Sequence, residues 1–382
     1  MVKVLVEAVE KKRIVAIFGC SKLGAEIHAL IMQLAPQTEM VFVDNSRERW
    51  GTQFCECRVY APEEIIERKA LFIVASERFY DSMTNQIKRL GVEEEDIFFP
   101  DEVLHKKLQE AEQIIAKRTP KKTINFVVDL AEHCNLNCQN CDHFSPLAKE
   151  KYQDYDTFRK DIARMAELFG GHGEYITSVD LEGGEPLLNP EVEKYISVVH
   201  EFMPNTKVRI FTNGTLLLKK EEAFWNTCRK HGVTLEITKY PIAFDYDGIV
   251  KKAEEENVDL QFFYDGEVAK TSMHKPMDLS GSQDKYESFH GCYMANADCM
   301  MLKEGKFYPC TLIPNLSTFN EFFEQDVKVC KKDYIDIYKV ESKEEIFEFL
   351  ANPVPACRYC QPKKWTYGHE WGVTRKEIGE WT

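Results

Sequence analysis

Three cysteines, Cys134, Cys138 and Cys141, fall within eight residues in the stretch HCNLNCQNC. Thiolates are soft ligands suited to iron or zinc. A structural zinc site takes four ligands and normally shows a second pair at hairpin spacing. No such pair follows here. Three thiolates on one short loop can instead hold three irons of a four-iron cluster, which leaves the fourth iron open to a non-protein ligand.

The elements around this loop must position it. Residues 123–130, 175–182, 207–213, 233–239 and 258–263 read as strands. Helices are expected at about 155–169, 190–203, 220–231 and 246–257. The strands alternate. Val179 and Leu181 face one way, and Ser178, Asp180 and Glu182 the other. Val208 and Ile210 oppose Arg209 and Phe211, while Leu235 and Ile237 oppose Glu236 and Thr238. A parallel sheet covered by helices on both faces would be apolar throughout. The pattern therefore predicts helices on one face and a polar lumen on the other, as in a wide or partly open barrel. Catalytic groups collect at the C-terminal strand ends of such sheets, which makes Glu182, Asp180 and Arg209 the candidate catalytic residues.

The loop after the first of these strands, with its C-x3-C-x2-C spacing, resembles that of the radical S-adenosylmethionine (SAM) enzymes. GGEP at 183–186 ends the second strand and FTNG at 211–214 ends the third, in the order that family shows. The resemblance implies a partial TIM-type barrel and a catalytic 4Fe–4S cluster on Cys134, Cys138 and Cys141. It implies SAM chelated at the open iron and cleaved by an electron from the cluster. The resulting 5′-deoxyadenosyl radical would take a hydrogen atom from substrate. Gly183, Gly184, Glu185 and Pro186 would position the methionine moiety, with Asn213 and Thr238 near the ribose. The family usually carries an aromatic residue before the third cysteine, where this chain has Asn140. Asn140 could bond the adenine edge, or Phe144 could supply the missing aromatic face.

Downstream, Cys292, a turn at Glu304-Gly305, Cys310 and Cys357-x2-Cys360 resemble the auxiliary-cluster domain called twitch, a short form of SPASM. The resemblance implies a second 4Fe–4S cluster on these four cysteines; a zinc site with the same thiolates is the alternative. Cys20, Cys55, Cys57, Cys228 and Cys299 read as buried bystanders, with Cys299 near enough to be a substitute ligand. Trp365, Trp371 and Trp381 are expected to pack the last residues onto a domain surface.

Residues 1–118 alternate strand and helix and predict a Rossmann-like doubly wound sheet. A charged helix is expected at about 101–118, then a linker. In FGCSKLG, Gly19 and Gly24 hold the outer positions of a dinucleotide fingerprint, but Ser21 holds the middle one. Asp44 stands where a ribose-binding acid would. The module is similar to those found beside enzymes of sugar and surface-glycan biosynthesis. A docking or structural role is expected. The expected division is 1–118, 119–285 and 286–382, an α/β chain throughout.

The chain has 382 residues and a formal charge of −14, which argues against a nucleic-acid backbone as main partner. No apolar run reaches the ~18 residues a membrane span needs, and no signal peptide is recognised at the N-terminus. Thirteen cysteines without an export signal point to a reducing, cytoplasmic setting. The expectation is a radical SAM enzyme acting on a small polar substrate, a sugar or nucleotide-sugar, with a reducing partner such as flavodoxin or ferredoxin. A peptide-modifying maturase and a non-catalytic iron–sulfur electron carrier are the alternatives.

Overall fold

A computed structural model describes residues 13–76, 78–100, 115–116, 123–263, 271–296 and 299–382. The chain divides into two compact units, 1–122 and 123–382.

The first unit contains β1 (Val15–Phe18), β2 (Met40–Val43), β3 (Gln53–Phe54), β4 (Cys57–Tyr60), β5 (Leu71–Val74), β6 (Ile97–Pro100) and β7 (Ile115–Ala116). Their order in the sheet is β3-β4-β2-β1-β5-β6-β7. β1, β2 and β5 are apolar at every position and wholly buried because helices cover both faces. Val15 and Ile17 pack with Ile27 and Ile31 of the helix Lys22–Leu34. Ala16 and Phe18 pack on the other face with Ile65, Met83 and Ile87. The doubly wound reading is what the structure shows. Of the helix expected at about 101–118, only Ile115 and Ala116 are described. They form a short strand antiparallel to Phe99–Pro100; the rest lies outside the described residues.

The second unit is built on β8 (Ile124–Ala131), β9 (Ile176–Gly183), β10 (Lys207–Thr212), β11 (Thr234–Ile237) and β12 (Asp259–Phe262), all parallel. Helices Tyr155–Leu168, Val192–Phe202, Glu222–His231 and Tyr246–Glu256 connect them. After β13 (Thr271–His274), the hairpin β14 (Met301–Lys303) and β15 (Lys306–Tyr308), followed by β16 (Ile335–Asp336), extends the same sheet beyond β8. β17 (Thr366–Glu370) pairs with β13. The residues expected to form a separate part from 286 onward thus begin by continuing the main sheet, within one compact unit.

One face of the sheet carries Phe126, Val128, Leu130, Val179, Leu181, Val208, Ile210, Leu235 and Ile237 against Phe158, Ile162, Ile196, Phe224 and Trp225 of the helices. The predicted alternation holds on β10 and β11, where Arg209, Phe211 and Glu236 are only half-buried. On β8 and β9 the polar face is covered as well: Asn125, Asp129, Ser178 and Asp180 are all buried. The helix Leu312–Phe323 contributes to that cover, bringing the Asn315 amide to Asp129 at 3.4 Å. Among the described residues no helix is long and apolar enough to cross a membrane.

The β14–β15 turn is made by Glu304 and Gly305, both at positive φ (51° and 71°), as a two-residue hairpin demands. Buried Asp161 accepts from the Gly305 N–H at 2.8 Å and from the Tyr338 hydroxyl at 2.7 Å. It thereby fixes the hairpin to the helix Tyr155–Leu168. Asp161→Ala strands both donors and is expected to destabilise the chain by about 1–3 kcal/mol in urea denaturation.

Candidate functional site

The loop 132–141 leaves the C-terminal end of β8 and runs against the turn that ends β9. Gly184 N–H donates to Ala131 O at 2.8 Å and Glu185 N–H to His133 O at 3.1 Å. A Cβ on Gly184 would lie 2.2 Å from His133 O, so only glycine lets the two backbones meet. The Glu185 side chain is fully buried. It accepts from Leu187 N–H (3.0 Å), Thr212 Oγ1 (2.6 Å) and Asn213 N–H (3.0 Å), tying the ends of β9 and β10 together. Its carboxylate therefore shapes the turn from inside, and what GGEP can offer a ligand is backbone. Asn213 donates to Asn135 Oδ1 at 2.8 Å, on the cysteine loop, and accepts from Thr215. Thr238, at the end of β11, bonds Thr212 O through its N–H at 3.2 Å.

The three sulfurs sit close enough to affect one another. Burial pushes the Cys141 thiol up to about 12, with the charges of Asp142 and Cys138 adding. Burial raises Cys134 further, reinforced by Glu185, Cys141 and Cys138. Such thiols become thiolates only beside strong positive charge, which a metal group supplies. N–H donors already point at two of them: Leu136 N–H at Cys134 Sγ (3.3 Å) and Trp371 Nε1–H at Cys138 Sγ (3.2 Å). Among the described residues, no three His, Cys, Asp or Glu side chains converge tightly enough to hold one metal ion. A cluster with a separate iron for each sulfur does not require that convergence. Donor type, mutual proximity and N–H···S contacts fit an iron–sulfur cluster.

Asn140 lies at φ +59°, a left-handed conformation that asparagine tolerates better than a bulky aromatic does. Phe144 does not supply an aromatic face. It is fully buried and packs on Phe319 and Trp381. Two aromatic rings beside the loop, Tyr240 and Trp371, lie 5.7 Å apart, and Tyr240 also hydrogen-bonds Cys138.

Of the candidate catalytic residues, Asp180 and Arg209 form a bidentate pair at 2.7 and 2.5 Å, and Asn125 also donates to Asp180 at 3.1 Å. Asp180 is an anchor for Arg209, whose side chain remains about 30% exposed. Glu182 stands apart from them, against His143. His143 Nε2 is 3.8 Å from Glu182 and Nδ1 is 3.2 Å from Asp129. Burial pushes Glu182 up to about 8, against the pull of His143. Burial opposes charging of His143, but Asp129, Asp142 and Glu182 outweigh it and hold the imidazole up to about 9. A carboxyl and an imidazole whose values lie this close together suit proton transfer and hydrogen bonding to substrate. His143 and Asp129 belong to no motif in the sequence; their signal is the strand phase, which puts Asp129 on the same face as Asn125, and the position of His143 two residues past the third cysteine.

Cys292, Cys310, Cys357 and Cys360 gather in one place: burial raises the Cys360 thiol, and the other three sulfurs raise it further. Cys299 packs against the same core as this group. Burial pushes its thiol up to about 12, and Glu182, Lys275, Asp142 and Cys310 all act on it. It is half-buried rather than buried, which departs from the expectation. Lys275 pairs with Asp142 at 2.5 Å and reaches Met294 Sδ at 3.4 Å, linking the three-cysteine loop to the second cysteine group.

In the first unit the fingerprint loop closes on itself. Asp44 accepts from Cys20 N–H and Ser46 N–H, each at 2.8 Å, and Ser21 caps the following helix through Gly24 N–H at 3.1 Å. Both Asp44 oxygens are thus engaged within the loop.

No family model matches the chain. The GTP 3',8-cyclase of Sulfurovum sp. (strain NBC37-1) is 26% identical over 97 residues, covering 25% of this chain and 29% of that relative. The GTP 3',8-cyclase of Sulfurimonas denitrificans is 25% identical over 122 residues, 32% of this chain and 37% of the relative. That of Aliarcobacter butzleri is 32% identical over 95 residues, 24% and 28%. The chain therefore spans little more than a third of the length of these relatives at most. A crystal structure of BtrN in complex with AdoMet and 2-DOIA is similar to this chain with a TM-score of 0.40 and 16% identity, covering 63% of this chain and 93% of BtrN.

Glu185→Ala leaves two backbone N–H groups and a hydroxyl unsatisfied. It is expected to cost about 2–4 kcal/mol in denaturation of the metal-free chain.

Proposed function

We propose that this chain, which belongs to the radical S-adenosylmethionine superfamily, is an enzyme that uses SAM to remove a hydrogen atom from a small, sugar-derived substrate. The observation that carries the reading is the placement of the Asp129–His143–Glu182 cluster at the ends of β8 and β9, beside the three-cysteine loop. Cys134, Cys138 and Cys141 would hold the 4Fe–4S cluster. Bound together, cluster and SAM would supply a radical able to break a C–H bond. The backbone of Gly183 and Gly184 would receive the methionine end, with Asn140, Asn213 and Thr238 around the nucleoside.

The remaining roles belong to side chains. Glu182 and His143 share a polar face, and both are raised well above their ordinary values, to about 8 and about 9, suited to orienting a hydroxyl and moving its proton. Arg209, held by Asp180, presents a fixed cation on the same polar face. Buried charges of this kind favour a ligand with many hydroxyls over an apolar peptide side chain. Cys292, Cys310, Cys357 and Cys360 would hold a second 4Fe–4S cluster. On this reading 119–285 is the SAM-binding part and 286–382 the auxiliary-cluster part. Residues 1–118, with a closed fingerprint loop, would serve docking or recruitment. All thirteen cysteines are free, in keeping with a cytoplasmic setting and a flavodoxin or ferredoxin as reductant.

Replacing Cys134, Cys138 and Cys141 by alanine is expected to abolish reductive SAM cleavage and to lower iron from roughly eight to roughly four per chain. Undiminished cleavage would overturn the reading, and zinc in place of the remaining iron would reassign the second group. Glu182→Gln is expected to bind SAM normally while product formation falls at least about 100-fold, the scale of a lost acid–base group. Deuterated sugars and nucleotide-sugars should pass deuterium into 5′-deoxyadenosine; transfer only from peptides would refute the substrate assignment.

A further inference from the structure

The segment 371–381 folds back over the three-cysteine loop at four points. Gln139 N–H donates to Gly372 O at 2.8 Å and Thr374 N–H to Asn137 O at 2.9 Å, an antiparallel bridge that sets Val373 beside Cys138. Trp381 Nε1–H donates to Cys141 O at 2.9 Å. Trp371 Nε1–H donates to Cys138 Sγ at 3.2 Å. The first three contacts meet backbone. Only Trp371 reaches a sulfur, and it is held there by the flanking bridge and by the Tyr240 ring.

We infer that Trp371 is a positioning residue for the catalytic cluster, and that its indole N–H on Cys138 sets how readily the cluster is reduced. The inference rests on the proposed cluster at Cys134, Cys138 and Cys141. Reduction adds electron density that spreads onto the ligand sulfurs. A donor fixed on one of them stabilises the reduced state and raises the potential, a standard way in which proteins tune iron–sulfur centres. The donor must already be in place, because a buried, pre-aimed N–H costs no reorganisation when the electron arrives. Two features agree with this role. Tryptophan is donor-only at nitrogen, so it cannot compete as a ligand. Its partner sulfur also lies next in the loop to Gln139, whose N–H is the anchor of the bridge, so loop and donor move together.

The test compares two tryptophans of the same segment in anaerobically reconstituted full-length protein. The cluster is identified by the change that SAM causes in its reduced electron paramagnetic resonance spectrum. Trp371→Phe keeps the ring and removes the donor. At a fixed applied potential its ratio of reduced to oxidised cluster should fall about tenfold, the effect of one charge-assisted hydrogen bond, with iron content unchanged. Trp381→Phe loses a bond to a carbonyl and should leave that ratio within about twofold of wild type while lowering thermal stability. Equal ratios in wild type and Trp371→Phe, or equal falls in both variants, would overturn the inference. Absence of any SAM-responsive cluster in the wild type would instead remove the underlying site assignment. Should Trp371→Phe fail to fold, wild-type protein carrying ring-15N tryptophan should show nitrogen hyperfine coupling to the reduced cluster, and no coupling would refute the contact.

Discussion

Along β8 and β9 the parallel ladder sets Asp129 opposite Glu182 and Ala131 opposite Gly183. That register places the cysteine loop, which leaves β8 after Ala131, against the glycine turn that ends β9. It also puts two carboxylates side by side on the lumen face. A slip of one residue in either strand would turn its carboxylate into the helix-covered core and bring Val128 or Leu181 to the site. The register is held from the apolar side by Phe126, Val128, Leu130, Val179 and Leu181, all at most 2% exposed. It is held at the strand ends by Glu185, which bonds across to β10. A departure from regular pairing between Asp129 and Ala131 releases β8 into the loop.

Placing carboxylates together in a covered site has an electrostatic cost, and the structure offsets it with particular cations. Arg209 meets Asp180, Lys275 meets Asp142, and His143 stands between Asp129 and Glu182. Two of these cations lie on different elements from the acids they pair with: Arg209 on β10 and Lys275 after β13. Burial pushes the Glu182 carboxyl up to about 8 against the pull of His143, so its proton stays on through neutrality. A site so buried and so rich in fixed charge strengthens each polar contact with a ligand. It also penalises any ligand that cannot form those contacts.

The region after residue 286 is woven into the same unit at three levels. The hairpin β14–β15 extends the sheet at β8, and Asn315 reaches Asp129. Trp381 joins the core that also contains Phe144, Cys310, Phe319 and Tyr359. The three late tryptophans therefore differ in their contacts. Trp381 packs and bonds the loop backbone, Trp365 borders the second core, and Trp371 meets the Cys138 sulfur. General burial of aromatics accounts for the first two and not for the third.

The sequence by itself determined which residues could bind metal, and it determined the strand and helix order. Thiolate spacing on one loop is a local property, and so is the alternation that sorted Val179 from Asp180 or Ile210 from Arg209. It also located the glycine turns, since close backbone approach admits no other residue at Gly184. Only the tertiary structure decided the rest. Asp180 and Arg209 turned out to satisfy each other, which left Glu182 to His143; no spacing encodes a cross-strand pairing of that kind. The buried state of Phe144 depends on Phe319 and Trp381, about 175 and 237 positions further along. The donor on Cys138 comes from Trp371, 233 residues away. Contacts between distant segments follow from how whole layers pack, and packing is a property of the assembled core that no single stretch of residues carries.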